Sequence, residues 1–309
     1  GGQTMEQTMK INQLPSPTWG FLGVNGAVCP APAEEKTRHR VGAEESALFF
    51  GQSGQRNAEA QLCVAGGTER TLFVTAAAEK TTHAALSLHL EAGARLHVFA
   101  LLTAEENASL AHKICAVCEE NALLTLHTIL LGKGDLYSDC EVNLKGDGSS
   151  FRAEYGYLGT AAQKIDMNLV VLQHGKRTAA QIDARGALCD RAEKIFRGTI
   201  DFRRGCADSR AAENETVLLL GEDVINKTVP VILCAEENVD GSHGASIGEL
   251  DEQSLFYFAS RGIDAETAKR MLARAAILRI LHAMPQGAFY DTCAAALQKA
   301  SGGEENDAS

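Results

Sequence analysis

From about residue 58 to residue 235, hydrophobic and polar positions alternate over short runs that close at Gly, Asn or Asp. Leu86-Ser-Leu-His-Leu90 alternates, as do Ala122-Leu-Leu-Thr-Leu-His-Thr-Ile-Leu130 and Glu141-Val-Asn-Leu144. Successive side chains of a strand point to opposite faces, so such runs predict half-buried strands. Short turns fall at Gly93, Asn121, Gly146 and Gly175, with spacings of 28, 25 and 29 residues. A near-constant period of short strands with no helix between them predicts a β-solenoid, each coil stacking on the last. A β-sandwich of hairpins is the alternative, for which turns every ~8–12 residues are expected.

After about residue 250 the period becomes helical. Asp251 is placed to cap a helix over 252–260, with Leu255, Phe256 and Ala259 on one face and Arg261-Gly262 as its stop. Asp264 then caps a longer helix in which Met271, Leu272, Ala275, Leu278 and Leu281 recur at helical spacing, ended by Pro285. A third helix is predicted over 288–299. At the other end, four of the six prolines lie within the first 32 residues, beside Trp19 and Phe21, and predict irregular chain. The expected organisation is therefore an irregular segment over 1–57, a β core over 58–240, a helical domain over 241–300, and a polar, acidic, disordered tail over 301–309.

The charge narrows the function. Lys and Arg total 29 against 40 Asp and Glu, a formal net charge of −11 in 309 residues. No basic excess exists to displace counterions from nucleic acid or to hold an anionic membrane surface. No apolar run approaches the ~18–20 residues of a membrane span. The nine cysteines are odd in number and do not repeat as a disulfide framework, and no charged-then-apolar signal segment opens the chain. Reduced thiols in a cytoplasmic protein are expected.

Most constellations that carry chemistry elsewhere are weak here. Cys115-Ala-Val-Cys118 lies in a strand pattern, where residues three apart face opposite ways, and no second pair completes a zinc site. His83, His89, His97, His112 and His127 are scattered through strands. The chain has no phosphate-binding Gly-Lys-Ser/Thr loop, no Gly-x-Ser-x-Gly and no His-Glu-x-x-His. Asp139, Glu141, Asp147 and Glu154 would need to converge in a groove to serve a carbohydrate-active enzyme. One stretch differs: Asn238-Val-Asp-Gly-Ser-His-Gly-Ala-Ser-Ile-Gly-Glu-Leu-Asp251 surrounds His243 with small residues at the join between β and helical patterns. Read alone, it is either a Gly-rich linker whose His caps a helix or an open site for a partner or metal.

The segment from Val239 to Ile263, including Ser242-His-Gly-Ala-Ser-Ile-Gly248 and Phe256-Tyr-Phe-Ala-Ser-Arg-Gly-Ile263, resembles the C-terminal signature of the SufB/SufD family of iron–sulfur cluster assembly proteins, in its SufD-like branch. Arg197-Gly-Thr-Ile-Asp-Phe-Arg-Arg-Gly205, Asp208-Ser209, Glu213, Leu218-Leu-Leu220 and Pro230 follow the family pattern in order.

The resemblance implies a right-handed parallel β-helix followed by a helical domain, acting as a scaffold and not as a classical enzyme. It implies docking of a SufC-like ABC ATPase on the C-terminal helices, with Leu255, Phe256, Tyr257, Arg261 and Gly262 as contact residues. It implies pairing with a SufB-like partner or a second copy, the chain being a homodimer in isolation. An iron–sulfur cluster or iron would be held transiently at the shared interface, with His243 as candidate ligand. Glu215 stands where SufB-like chains carry a cysteine, Gly244 where they carry Glu, and Gly241 where many SufD-like chains carry Cys. Cys206 and Cys234 lie nearby without matching those slots. A β-solenoid adaptor with no metal role and a carbohydrate-active β-helix enzyme are the competing readings.

Overall fold

Each alternating run forms one strand of a two-strand coil. The computed structural model describes residues 8–18, 20–32, 35–51 and 56–302. Its strands are β1 (Thr8–Ile11), β2 (Ala27–Pro30), β3 (Thr37–Arg40), β4 (Ala47–Phe50), β5 (Asn57–Val64), β6 (Glu69–Ala78), β7 (Thr82–Leu90), β8 (Arg95–Ala104) and β9 (Ser109–Cys118). They continue with β10 (Leu123–Gly132), β11 (Asp135–Leu144), β12 (Ser150–Gly159), β13 (Lys164–Gln173), β14 (Ala179–Leu188), β15 (Glu193–Phe202), β16 (Ser209–Leu219), β17 (Ile225–Cys234) and β18 (Val239–Glu249). Odd strands from β3 to β17 make one eight-stranded sheet and even strands from β4 to β18 the other. All pairs in both sheets are parallel, each strand lying between the strands two before and two after it. This is a parallel β-solenoid, and the sandwich alternative is excluded.

The period-2 pattern works because parallel register stacks like on like. Leu96, Leu124 and Phe151 lie one above another, as do Val98, Leu126 and Ala153, and all six are buried in one continuous core between the sheets. The corners stack too. Gly67, Gly93, Asn121, Gly148, Arg177 and Asp208 all have positive φ. Each donates its backbone N–H to the next coil, from Gly67 to Ala92 through to Asp208 to Asn238. Gly or Asn is favoured at such a corner because a left-handed backbone crowds a Cβ.

Three helices complete the chain: α1 (Glu252–Ala259), α2 (Ala265–His282) and α3 (Ala288–Ala300). They do not form a separate core. The outer face of the even-strand sheet is apolar at Phe99, Leu101, Ile129, Leu131, Leu158, Ala187 and Leu220, and these pack with Ala273, Ile277, Ile280 and Leu281 of α2 and Cys293 and Leu297 of α3. That cover explains why Val98–Leu102 is buried on both faces. Gly156 lies beneath α2, where a Cβ would come within 2.9 Å of Ile280 and 3.3 Å of Ile277. By contrast, α1 buries no residue.

Two expectations are corrected. The segment before 58 is not simply irregular: β1 and β2 form an antiparallel pair, and β3 and β4 already belong to the solenoid sheets. Their four-residue length hid them from any periodicity. The pair is strapped to the outer face of the odd-strand sheet, with Ile11, Ala27 and Cys29 against Ala111 and Tyr137. Arg197 and Asp166, both fully buried, form a salt bridge under it; Arg197 Nε donates to the Val24 carbonyl and Asn12 donates to Asp166. The helical domain expected over 241–300 begins instead at 252, because 239–249 is the last strand. Trp19, and residues 303–309 of the expected tail, lie outside the described residues. No helix among the described residues is long and apolar enough to cross a membrane.

If α2 is part of the solenoid's packing and α1 is not, truncating one side chain from each should separate them. Ile277→Ala should cost ~2–5 kcal/mol in urea unfolding, whereas Phe256→Ala should stay within ~0.5 kcal/mol. Equal costs would contradict this division.

Candidate functional site

The solenoid ends on β17 and β18, each paired on one side only, to β15 and β16 respectively. Ten of the eleven residues of β18 are exposed. Its register with β16 is continuous from Ser209 opposite Val239 to Leu219 opposite Glu249. Its facing is fixed by its glycines. A Cβ on Gly241 would meet the buried Phe202 ring, so Gly241, His243, Ala245 and Ile247 face inward. A Cβ on Gly244 would meet the exposed Asn214 side chain, so the alternate residues face out.

His243 therefore sits on the inward face of the last coil, in register with Glu213 and exposed because no further coil covers it. The helix-capping reading of His243 is overturned. Asp251 caps α1, its carboxylate accepting from the Ser254 N–H at 2.8 Å, and Asp264 caps α2 in the same way at 2.9 Å.

Beneath His243 the core holds a polar cluster that sequence reasoning missed. Lys194, fully buried, pairs with Glu215. Glu215 also accepts from the Tyr157 hydroxyl at 2.9 Å and from the Thr228 hydroxyl. Burial lowers the Lys194 pKa, opposed by the Glu215 charge, and burial pushes the Tyr157 hydroxyl well up. A lysine and a carboxylate so enclosed depend on each other, since removing either strands a buried charge. Glu215, in the place where the family resemblance looks for a cysteine, is thus committed to Lys194.

Glu213, two residues earlier and on the same inward face, is only 3% exposed. Its carboxyl fills the space that Gly198 leaves on the opposite sheet. Among the described residues it makes no ion pair or hydrogen bond. Burial, followed by the Glu215 charge, pushes its pKa up to about 7, only partly opposed by Lys194. The one available signal was a pair of Glu residues at i and i+2, on the face that carries Ala211 and Val217.

The remaining candidates are not brought together. Cys115 is exposed and Cys118 buried, as strand geometry requires. Asp139 and Glu141 lie on β11 and Glu154 on β12, in different sheets, and Asp147 is in a turn, so these four carboxylates do not converge. His112 is fully buried with its pKa pushed down to about 4 by burial, which keeps it neutral. His83 bonds to the Pro30 carbonyl at 2.8 Å, and His127 stacks on Phe99 at 5.0 Å. His97 pairs with Glu69 at 3.3 Å, and His89 lies 3.9 Å from Glu119. Cys206 is buried, and the exposed Cys234 thiol donates to the Glu236 carbonyl at 3.0 Å. All nine cysteines are free. Among the described residues no group of three or more His, Cys, Asp or Glu side chains is gathered to hold a metal ion.

Beside β18, α1 presents Phe256 at 74% exposure and Tyr257 at 53%. The Arg261 guanidinium lies 3.7 Å from the Tyr257 ring centre. Leu255 is half-buried, and Gly262, with φ of 76°, closes the helix. Met271 of α2 is also exposed. Apolar and aromatic surface of this kind is typical of contact patches.

Comparison with known proteins adds relationship to this geometry. A family model described as "SUF system FeS cluster assembly, SufBD core domain" matches residues 54–276. The iron–sulfur cluster assembly protein SufD of Bacillus subtilis is 29% identical over 156 residues, 50% of this chain and 36% of that protein. SufD of Escherichia coli is 25% identical over 167 residues, 53% of this chain and 39% of that protein. SufB of Bacillus subtilis is 24% identical over 156 residues, 50% of this chain and 34% of that protein. The chain thus spans less than half the length of these curated relatives.

The unpaired Glu213 sets a pH dependence. Its carboxyl titrates at about 7 when folded and at 4.5 when unperturbed, so the stability it permits is fully present below 4.5 and declines as pH rises to about 7. Glu213→Gln removes that decline. Its stability relative to the unsubstituted protein should grow from pH 4.5 to 7, by at most about 3 kcal/mol, in urea unfolding. A difference that stays flat over this range would contradict a buried, unpaired carboxyl.

Proposed function

Since the chain belongs to the SufBD core family of the SUF iron–sulfur cluster assembly system, we propose that it is a scaffold subunit of such an assembly complex. It pairs through its last coil with a SufB-like partner or a second copy, and in isolation it is a homodimer. It docks a SufC-like ABC ATPase on α1 and the exposed side of α2. An iron–sulfur cluster or iron, as cargo, is held transiently at the shared interface, with His243 as this chain's ligand. The compartment is cytosol-like and reducing, in keeping with nine free thiols.

The observation that carries this reading is β18: an eleven-residue edge strand, unpaired on its outer side, that bears His243. Such an edge offers a row of backbone donors and acceptors to another chain. A neutral imidazole on it is a sensible iron ligand, and the remaining donors come from the partner. Docking on α1 is supported by Phe256 and Tyr257, which contribute nothing to the core.

Point variants test both surfaces. Phe256→Asp with Tyr257→Asp should abolish co-purification of the SufC-like ATPase, with an unchanged melting temperature. His243→Ala should leave melting unchanged and cut cluster yield about tenfold or more on anaerobic reconstitution with a SufB-like partner. Full ATPase binding by the first variant would refute the docking assignment. Normal cluster yield from the second would leave the adaptor reading.

A further inference from the structure

The last two rungs of the even-strand sheet hold a carboxylate with no assigned purpose. Glu213 is almost wholly buried, yet no donor among the described residues satisfies it, while the adjacent Glu215 is engaged by Lys194, Tyr157 and Thr228. Neither of its oxygens is among the fully buried polar atoms without a partner, so the carboxyl keeps a path to solvent. Small residues lie across from it and above it. Gly198 faces it across the interior, its neighbour on the coil below is Ile182, and the coil above carries His243 flanked on the same face by Gly241 and Ala245. Glu213 and His243 are register partners on adjacent strands, facing the same way.

We propose that Glu213 and His243 together form a two-donor half-site for a divalent transition-metal cation at the open end of the solenoid. This rests on the reading of His243 as an interface ligand and adds Glu213 as its companion. Adjacent strands lie about 4.8 Å apart, so a carboxylate and an imidazole from register partners can reach one ion at about 2.0–2.2 Å each. Oxygen with imidazole nitrogen is a donor set suited to first-row divalent ions. The cation neutralises the charge that the fold leaves uncompensated at Glu213. Lys194 keeps Glu215 out of the set, which is why the chain offers two donors and leaves the remaining positions to water or to a partner.

Cobalt(II) is the probe, because its visible absorption reports ligand number and type. The full chain is titrated with Co²⁺ alone, and Kd and spectrum are compared for the unsubstituted protein, Glu213→Gln, Glu213→Asp and His243→Ala. Glu213→Gln and His243→Ala should each weaken binding about tenfold or more, and the double variant should be little worse than either. Glu213→Asp, which keeps the carboxylate, should retain more affinity than Glu213→Gln. The melting temperature of Glu213→Gln should not fall, since amide replaces carboxyl without change of shape. Unchanged binding by Glu213→Gln together with loss in His243→Ala would overturn the role of Glu213 and leave His243 standing. Absence of Co²⁺ binding to the unsubstituted chain, or binding indifferent to both residues, would overturn the half-site. The His243 reading would then be judged on cluster yield with the partner.

Discussion

Everything in this molecule depends on one constraint: parallel strands stacked in register, so that each inward side chain lands on the inward side chain of the coil below. That constraint builds the core from leucines, alanines and valines in vertical files. It also means the stack cannot satisfy its own last coil, because every strand needs a neighbour on each side and β17 and β18 have only one. The proposed pairing surface is the place where a repeating fold runs out of repeats.

The same constraint explains where polar groups accumulate. Deep in the stack each inward position is covered above and below, and His112 is held there neutral. Near the end the inward face carries Lys194, Glu213 and Glu215, closer to solvent and to whatever covers the last coil. Lys194 and Glu215 neutralise one another within the chain. Among the described residues Glu213 has no such partner, and the exposed His243 is its neighbour in register. On the flank, the helices serve two separate ends: α2 and α3 close an apolar outer face, whereas α1 adds nothing to the core. Deleting the helices wholesale would therefore uncover Phe99, Leu101, Ile129 and Leu131, and binding lost that way would not identify a docking residue.

The solenoid was legible wherever one face was buried and the other wet. Leu86-Ser-Leu-His-Leu90 announces its strand because its outer side, Ser87 and His89, stays polar and partly wet. Val98–Leu102 alternates poorly because the core buries one face and the helices the other. The stretch around His243 failed for the opposite reason: with neither face covered, β18 has no hydrophobic alternation and reads as a Gly-rich linker. β3 and β4 are too short to show a period, and a strap held by Arg197 and Asp166 has no local signature. His243 was visible through its small-residue setting and family resemblance, and its place on a strand through structure alone. Glu213 was quoted only as part of a motif, since parity along a strand does not reveal whether a carboxylate has a partner.

The central claim is that the last coil is an interface awaiting another chain. Amide hydrogen exchange, read residue by residue for the dilute chain alone and with a SufB-like subunit added, tests it most directly. The account predicts that partner binding slows exchange at the outward-facing amides of β17 and β18, with little change in β5–β13. Complex formation that left those amides as fast as before, or that protected the middle coils instead, would contradict it.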